Sequence, residues 1–270
     1  MSEFTKLESG TIHYLKIGSG KRLLLCFHGY GNNASLFIPF QKYLANDFTI
    51  LSIDLPHHGR SKWTDGHLLH RHELKQLVET LMALHHASQI SLVGYSMGGR
   101  VCLVIAEMMP EKIERLLLVA SDGLIFNPLY FFVTKTLIGR KIFRSFLADP
   151  NKYLKLLKWL RDKDWLDASR YKFITYYLEN AEDRKFLRHV WQDMSLIVPS
   201  MKNLKSSINK YQIQICIFSG KFDRVIPTTQ AQQFMKGLST VQLLVVQHGH
   251  RMFGADSLPK MASYLINGKC

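Results

Sequence analysis

A chain of 270 residues, 47% hydrophobic and 21% charged, holds enough apolar content for a sizeable core, which excludes a disordered tail or a disulfide-stapled miniprotein. Its formal charge of +14 raises nucleic acid as a partner, but no helix-turn-helix signature, RNP-like aromatic strand or zinc knuckle accompanies that charge, so nucleic-acid binding is not expected. The excess is also uneven: Leu124 to Ser206 holds sixteen Lys/Arg against eight Asp/Glu, and fifteen of the thirty-one aromatic residues.

The first ten residues are polar and carry Glu3, Lys6 and Glu8 with no apolar stretch of a secretory signal, and no apolar run reaches the roughly 18 residues of a spanning helix. A cytoplasmic protein without a transmembrane segment is therefore expected. Strand-like runs follow at Thr11–Ile17 and Arg22–Phe27, and the link Gly18-Ser19-Gly20 between them suits an antiparallel hairpin at a sheet edge. Beyond these, helical patterns at Ala34–Ala45, His67–His86 and Met97–Met109 alternate with strand-like runs at Phe48–Asp54, Gln89–Gly94 and Ile113–Ala120. Several runs are continuously apolar (LLLCF, RLLLVA, ICIF), as central strands covered on both faces require. Alternation of this kind predicts an α/β fold with a mainly parallel sheet and helices on both faces.

The pattern breaks after Ala120 and resumes near Tyr211. The intervening stretch shows amphipathic helical patterns (NKYLKLLKWL, RYKFITYYLEN, EDRKFLRHVW) and no convincing strand. We read 1–123 and 207–270 as the core and 124–206 as a helical insertion over the strand ends. Two more strand-like runs, Gln212–Ser219 and Val241–Val246, and helical patterns at Thr228–Lys236 and Ser257–Ile266 complete the chain. Of the four cysteines, Cys26, Cys102 and Cys216 lie in apolar runs and Cys270 is terminal, which predicts three buried thiols and one terminal thiol in a reducing compartment. No metal-ligand spacing, P-loop or G-x-G-x-x-G after the first strand is present, so neither metal nor cofactor is expected.

The decisive segment is Ile90 to Arg100, where a strand runs into a helix through Gly94-Tyr95-Ser96-Met97-Gly98. In G-x-S-x-G the glycines let neighbouring backbone approach a tight turn that exposes the serine hydroxyl. A serine needs a base to take its proton and an acid to orient that base. Asp223 and His250 each follow a predicted strand and stand in the order Ser, acid, His; Asp122 is a rival acid and His248 a rival base. Backbone N–H groups of Met97, just after the serine, and of Tyr30, in the loop HGYGNN after an early strand, are the expected oxyanion donors.

With HGYG at 28–31, DLPHHGRS at 54–61, GYSMG at 94–98, the acid at 223 and Gly249-His250 in this order, the chain resembles the α/β-hydrolase superfamily over nearly its whole length. The resemblance implies a serine hydrolase with a helical lid. His57 stands where relatives commonly have the first glycine of D-x-x-G-H-G-x-S, which bears on the shape of that loop. Haloalkane dehalogenases and epoxide hydrolases of this fold carry Asp at the position of Ser96. The expected reaction is ester or thioester hydrolysis through an acyl-serine, on a small molecule with apolar bulk and an anionic group, with His28, Tyr95, Arg100, Trp159 and Tyr176 as substrate contacts.

Alternatives stay open at this point. The run GYSMGGR is similar to the nucleophile segment of 2-succinyl-6-hydroxy-2,4-cyclohexadiene-1-carboxylate synthase, a lyase whose substrate site would map onto Tyr95 and Arg100. C–C or lactone hydrolysis is another reading, and a non-catalytic receptor on the same fold is a third.

Overall fold

The computed structural model describes residues 1–165, 171, 175, 176, 178 and 180–270, so Phe173 and Tyr177, two aromatics of the insertion, lie outside the described residues. The predicted apolar runs form strands β2 (Gly10–Ile17), β3 (Arg22–Phe27), β4 (Phe48–Ile53), β6 (Ile90–Tyr95), β7 (Ile113–Val119), β8 (Gln214–Gly220) and β9 (Val241–Val246). Two more are β1 (Ser2–Lys6), largely polar, and the two-residue β5 (Lys62–Trp63). The sheet runs in the order β1-β2-β4-β3-β6-β7-β8-β9, with β5 paired to β2. From β4 through β3 to β9 every pairing is parallel, so the loops after β3, β6, β8 and β9 emerge at one edge.

The predicted hairpin is not formed. Strands β2 and β3 do not pair with each other, because β4 lies between them, antiparallel to β2 and parallel to β3. The four-residue link 18–21 passes the end of β4, which is buried at five of its six residues and fills the place between the two strands by pairing with four residues of β2 and six of β3.

Every residue of β6 is buried, as is nearly all of helix α3 (Met97–Met108) that follows it. A helix apolar all round is a core helix rather than a surface one. It starts immediately beside β3: a methyl at Gly98 would lie 1.9 Å from the Phe27 carbonyl oxygen, so only glycine allows this approach. Around the sheet lie α1 (Gln41–Leu44), preceded by a 3₁₀ segment Ala34–Phe40, and α2 (Arg71–Leu84). Phe37, Phe40, Phe48, Phe218 and Tyr264 join one core cluster, each contributing roughly 1.5–3 kcal/mol by burial.

Two compact units are distinguished: Met1–Phe126 with Leu196–Cys270, and Asn127–Ser195. The second is narrower than the 124–206 stretch read as an insertion. It contains α4 (Pro128–Lys135), α5 (Leu137–Ala148), α6 (Asn151–Asp162) and α7 (Ala181–Asp193), with Asn127, Thr136 and Asn180 capping three of them. Tyr130 donates to the Trp191 carbonyl, and Phe143 stacks on Trp191, so α4, α5 and α7 meet at that indole. Helix α8 (Met201–Tyr211) belongs to the first unit, where it packs on α3. The first unit closes with α9 (Thr228–Met235) and α10 (Leu258–Asn267).

The thiol expectation needs one correction. Cys26 and Cys102 are buried and free, but Cys216 and Cys270 form a disulfide with Cα atoms 5.7 Å apart. Gly268 ends α10 in the left-handed region at φ 76° and turns the chain back, where the Cys270 N–H donates to Gln242 Oε1 on β9. Fifty-four residues separate the pair, so no local pattern announces it. Among the described residues no helix is long and apolar enough to cross a membrane.

Candidate active site

Ser96 sits at the junction of β6 and α3 with φ 50° and ψ −118°, a conformation costing about 1–3 kcal/mol that its surroundings must impose. Its N–H donates to the Val119 carbonyl, and its own carbonyl accepts from Gly99 and Asp122 N–H. The end of β7 and the first turn of α3 therefore hold the turn from both sides.

From the far strands come the partners. His250, in the loop after β9, places Nε2 3.1 Å from Ser96 Oγ, and its Nδ1 lies 2.8 Å from Asp223 Oδ2. A carboxylate only accepts, so Nδ1 donates and Nε2 is left as the acceptor for the serine hydroxyl. The Asp223 side chain is fully buried in the turn after β8, where Oδ1 accepts from Val225 and Ile226 N–H. Neither rival enters this chain of bonds. Asp122 faces Arg100 at 3.5 Å and accepts from Gly123 N–H; His248 pairs with Asp256 at 2.7 Å.

Met97 is the first residue of α3, a position whose N–H no bond of its own helix can satisfy. The loop after β3 lies against the serine: a methyl at Gly29 would sit 3.1 Å from Ser96 Cβ, with Tyr30 the next residue. That loop is fixed from behind by two histidines. His28 donates from Nδ1 to the Gly29 carbonyl and accepts the Leu55 N–H at Nε2. His58 donates to the Pro56 carbonyl and accepts the Gly31 N–H at 3.2 Å. Both are neutral, since burial pushes His28 down to about 4 and His58, with His28 beside it, to about 3.

The expected substrate contacts take up different settings. His28 is fully buried, with both ring nitrogens engaged by loop backbone. Tyr95 is buried as well; its hydroxyl donates to the His250 carbonyl at 3.3 Å and its ring lies 5.4 Å from the imidazole. Burial and the nearby Asp223 charge push that phenol up to about 12. Arg100 is buried against Asp122 and Gly123. Trp159 and Tyr176 are exposed side chains of the second unit. Sequence reasoning missed His58 as a prop of the loop; its motif DLPHHGRS was visible, but nothing in spacing tied it to Gly31. His57 adopts φ 65°, so the loop keeps the left-handed backbone that glycine adopts readily.

The alpha/beta hydrolase fold family matches residues 22–256. An uncharacterized hydrolase, YugF of Bacillus subtilis, is 24% identical over 86% of this chain and 84% of its own. The pimeloyl-[acyl-carrier protein] methyl ester esterase of Nitrosomonas europaea is 23% identical over 90% of this chain and 94% of its own. Among solved structures, an esterase from Exiguobacterium antarcticum superposes with a TM-score of 0.66 at 18% identity, covering 99% of both chains. With the family match spanning most of its length, and esterases and hydrolases among its relatives, the chain is a hydrolase belonging to the α/β-hydrolase family.

Proposed function

We propose that the protein hydrolyses small-molecule esters or thioesters through an acyl-serine intermediate. The observation that carries this reading is the continuous hydrogen-bonded chain Ser96–His250–Asp223 at a strained strand-to-helix turn. Ser96 Oγ attacks the acyl carbonyl while its proton passes to His250 Nε2, and Asp223 holds the imidazole and balances the imidazolium. Met97 and Tyr30 N–H groups meet the resulting oxyanion. Collapse expels the alcohol or thiol, which takes the proton from His250, and water then repeats the sequence on the acyl-enzyme. No step asks for a metal or cofactor.

Esterases among the relatives support the ester reading. The lyase alternative draws less support, because Arg100 faces Asp122 and the Tyr95 hydroxyl is donated to the His250 carbonyl. A cytoplasmic setting is part of the proposal; in a reducing compartment Cys216 and Cys270 would stand as adjacent thiols.

A fluorophosphonate followed by intact-mass and peptide analysis tests the nucleophile. One adduct on Ser96, absent in Ser96→Ala, is expected, together with a loss of several orders of magnitude in turnover across an ester and thioester panel of graded chain length. Labelling of Ser96→Ala to the same extent would overturn the assignment.

A further inference from the structure

Helices α4 and α5 are apolar on the side that points away from their own bundle as well as on the side that faces it. Tyr130, Val133 and Leu147 are buried, as ordinary amphipathic helices require. Yet Leu129 (63% exposed) and Phe132 lie three apart on the outside of α4. On α5, Leu137 (77%), Ile138 (69%) and Ile142 are exposed in the same way. The two helices are joined by Thr136 alone, which caps α5, and Gly139 brings α5 against the Phe132 carbonyl, where a methyl would lie 2.0 Å from the oxygen. These side chains thus flank one tight corner.

The charged residues in the corner's own sequence are of one sign. From Leu124 to Ala148 the sequence contains Lys135, Arg140, Lys141 and Arg144 and no Asp or Glu. Lys141 is interleaved with Leu137, Ile138 and Ile142 on the outer face of α5, and Arg144 is exposed one turn further on. A solvated helix face normally mixes both signs, and large exposed apolar groups in one place mark a contact surface. Apolar side chains interleaved only with cations are the composition of a helix lying in the headgroup region of an anionic bilayer.

We propose that the α4–α5 corner docks the protein peripherally on a membrane surface bearing anionic phospholipids, with Leu129, Phe132, Leu137, Ile138 and Ile142 entering the headgroup boundary and Lys141 and Arg144 meeting lipid phosphates. The proposal does not depend on the ester chemistry.

The full chain is sedimented with vesicles of phosphatidylcholine alone and of phosphatidylcholine with about 30 mol% phosphatidylglycerol, at roughly 50 and 500 mM salt. Binding to the anionic vesicles is expected to exceed binding to the neutral ones by about tenfold or more and to fall sharply at the higher salt. Leu137→Ser/Ile138→Ser and Lys141→Glu/Arg144→Glu should each reduce anionic-vesicle binding about tenfold, with circular dichroism, thermal midpoint and hydrolysis of a soluble ester unchanged. Equal binding to both vesicle types, or none to either, overturns the proposal. So does loss of binding in the charge variant alone, which would mark plain electrostatic adsorption. A serine variant that turns a dimer into a monomer in solution while vesicle binding persists would assign the corner to a second copy of the chain instead.

Discussion

Asp223 accepts three hydrogen bonds inside the protein, one from His250 Nδ1 and two from backbone N–H groups, and its side chain has no exposure to water. An amide at this position keeps the shape, but its NH₂ can face the imidazole only if the ring presents an acceptor at Nδ1. That tautomer carries its proton on Nε2 and can no longer take the serine proton. Asp223→Asn is therefore expected to retain the fold and lose roughly 10⁴-fold in turnover, a drop of the kind known for an amide in place of the acid of a Ser-His-Asp triad. Asp122→Asn changes a carboxylate that faces Arg100 and Gly123, so it should lower kcat/KM by less than about tenfold. Steady-state kinetics on one activated ester, with thermal midpoints as a folding control, decides between the two acids; reversed effects would move the acid to the end of β7.

At the scale of elements, the loops after β3 and β4 are held together by neutral imidazoles, which makes their junction acid-sensitive. Burial is the main cause that pushes His28 down to about 4 and His58 to about 3 in the fold, against about 6.5 in the unfolded chain. Below about pH 6.5 the unfolded state binds protons that the folded state refuses, so stability falls as pH drops and levels off only below the folded values. Between pH 7 and 5 each histidine should remove up to about 2 kcal/mol, read as a shift in urea unfolding midpoint. His58→Gln should flatten that dependence by about the same amount; an unchanged slope would mean that His58 takes up its proton as readily in the fold as in the unfolded chain. The strand-to-helix turn at Ser96 and the strand-end positions of Asp223 and His250 were legible in sequence because each is a local pattern at a strand end. The roles of His28, Tyr95 and His58 were not, because each is defined by a partner brought in by the fold: the Leu55 N–H, the His250 carbonyl and the Gly31 N–H. The same holds for strands. Buried β3, β6 and β8 announce themselves by apolar runs, whereas β1 is a polar edge segment formed by pairing with β2, and the insertion of β4 between β2 and β3 is a long-range choice that no short link encodes.

For the whole molecule the relevant quantity is the net charge of +14, from 35 basic and 21 acidic residues. Such a surplus has no bearing on which fold forms, but it sets a positive field that acts on charged molecules before they touch the surface. That field is screened over roughly 8–10 Å at ordinary ionic strength, so its influence falls on encounter and leaves the bonds formed in the site unaffected. A matched pair of esters with the same leaving group, one neutral and one carrying a carboxylate, separates these contributions. Between about 20 and 300 mM salt, kcat/KM for the anionic ester should fall several-fold while its kcat holds, and the neutral ester should change by less than twofold. Equal responses would mean that the basic residues are a solvated face with no bearing on substrate choice, and neutral esters would then be the class to search. A salt effect on kcat for the anionic ester alone would instead place a fixed cation within contact distance of the reacting group, because only a charge already inside the bound complex can alter a step that follows binding.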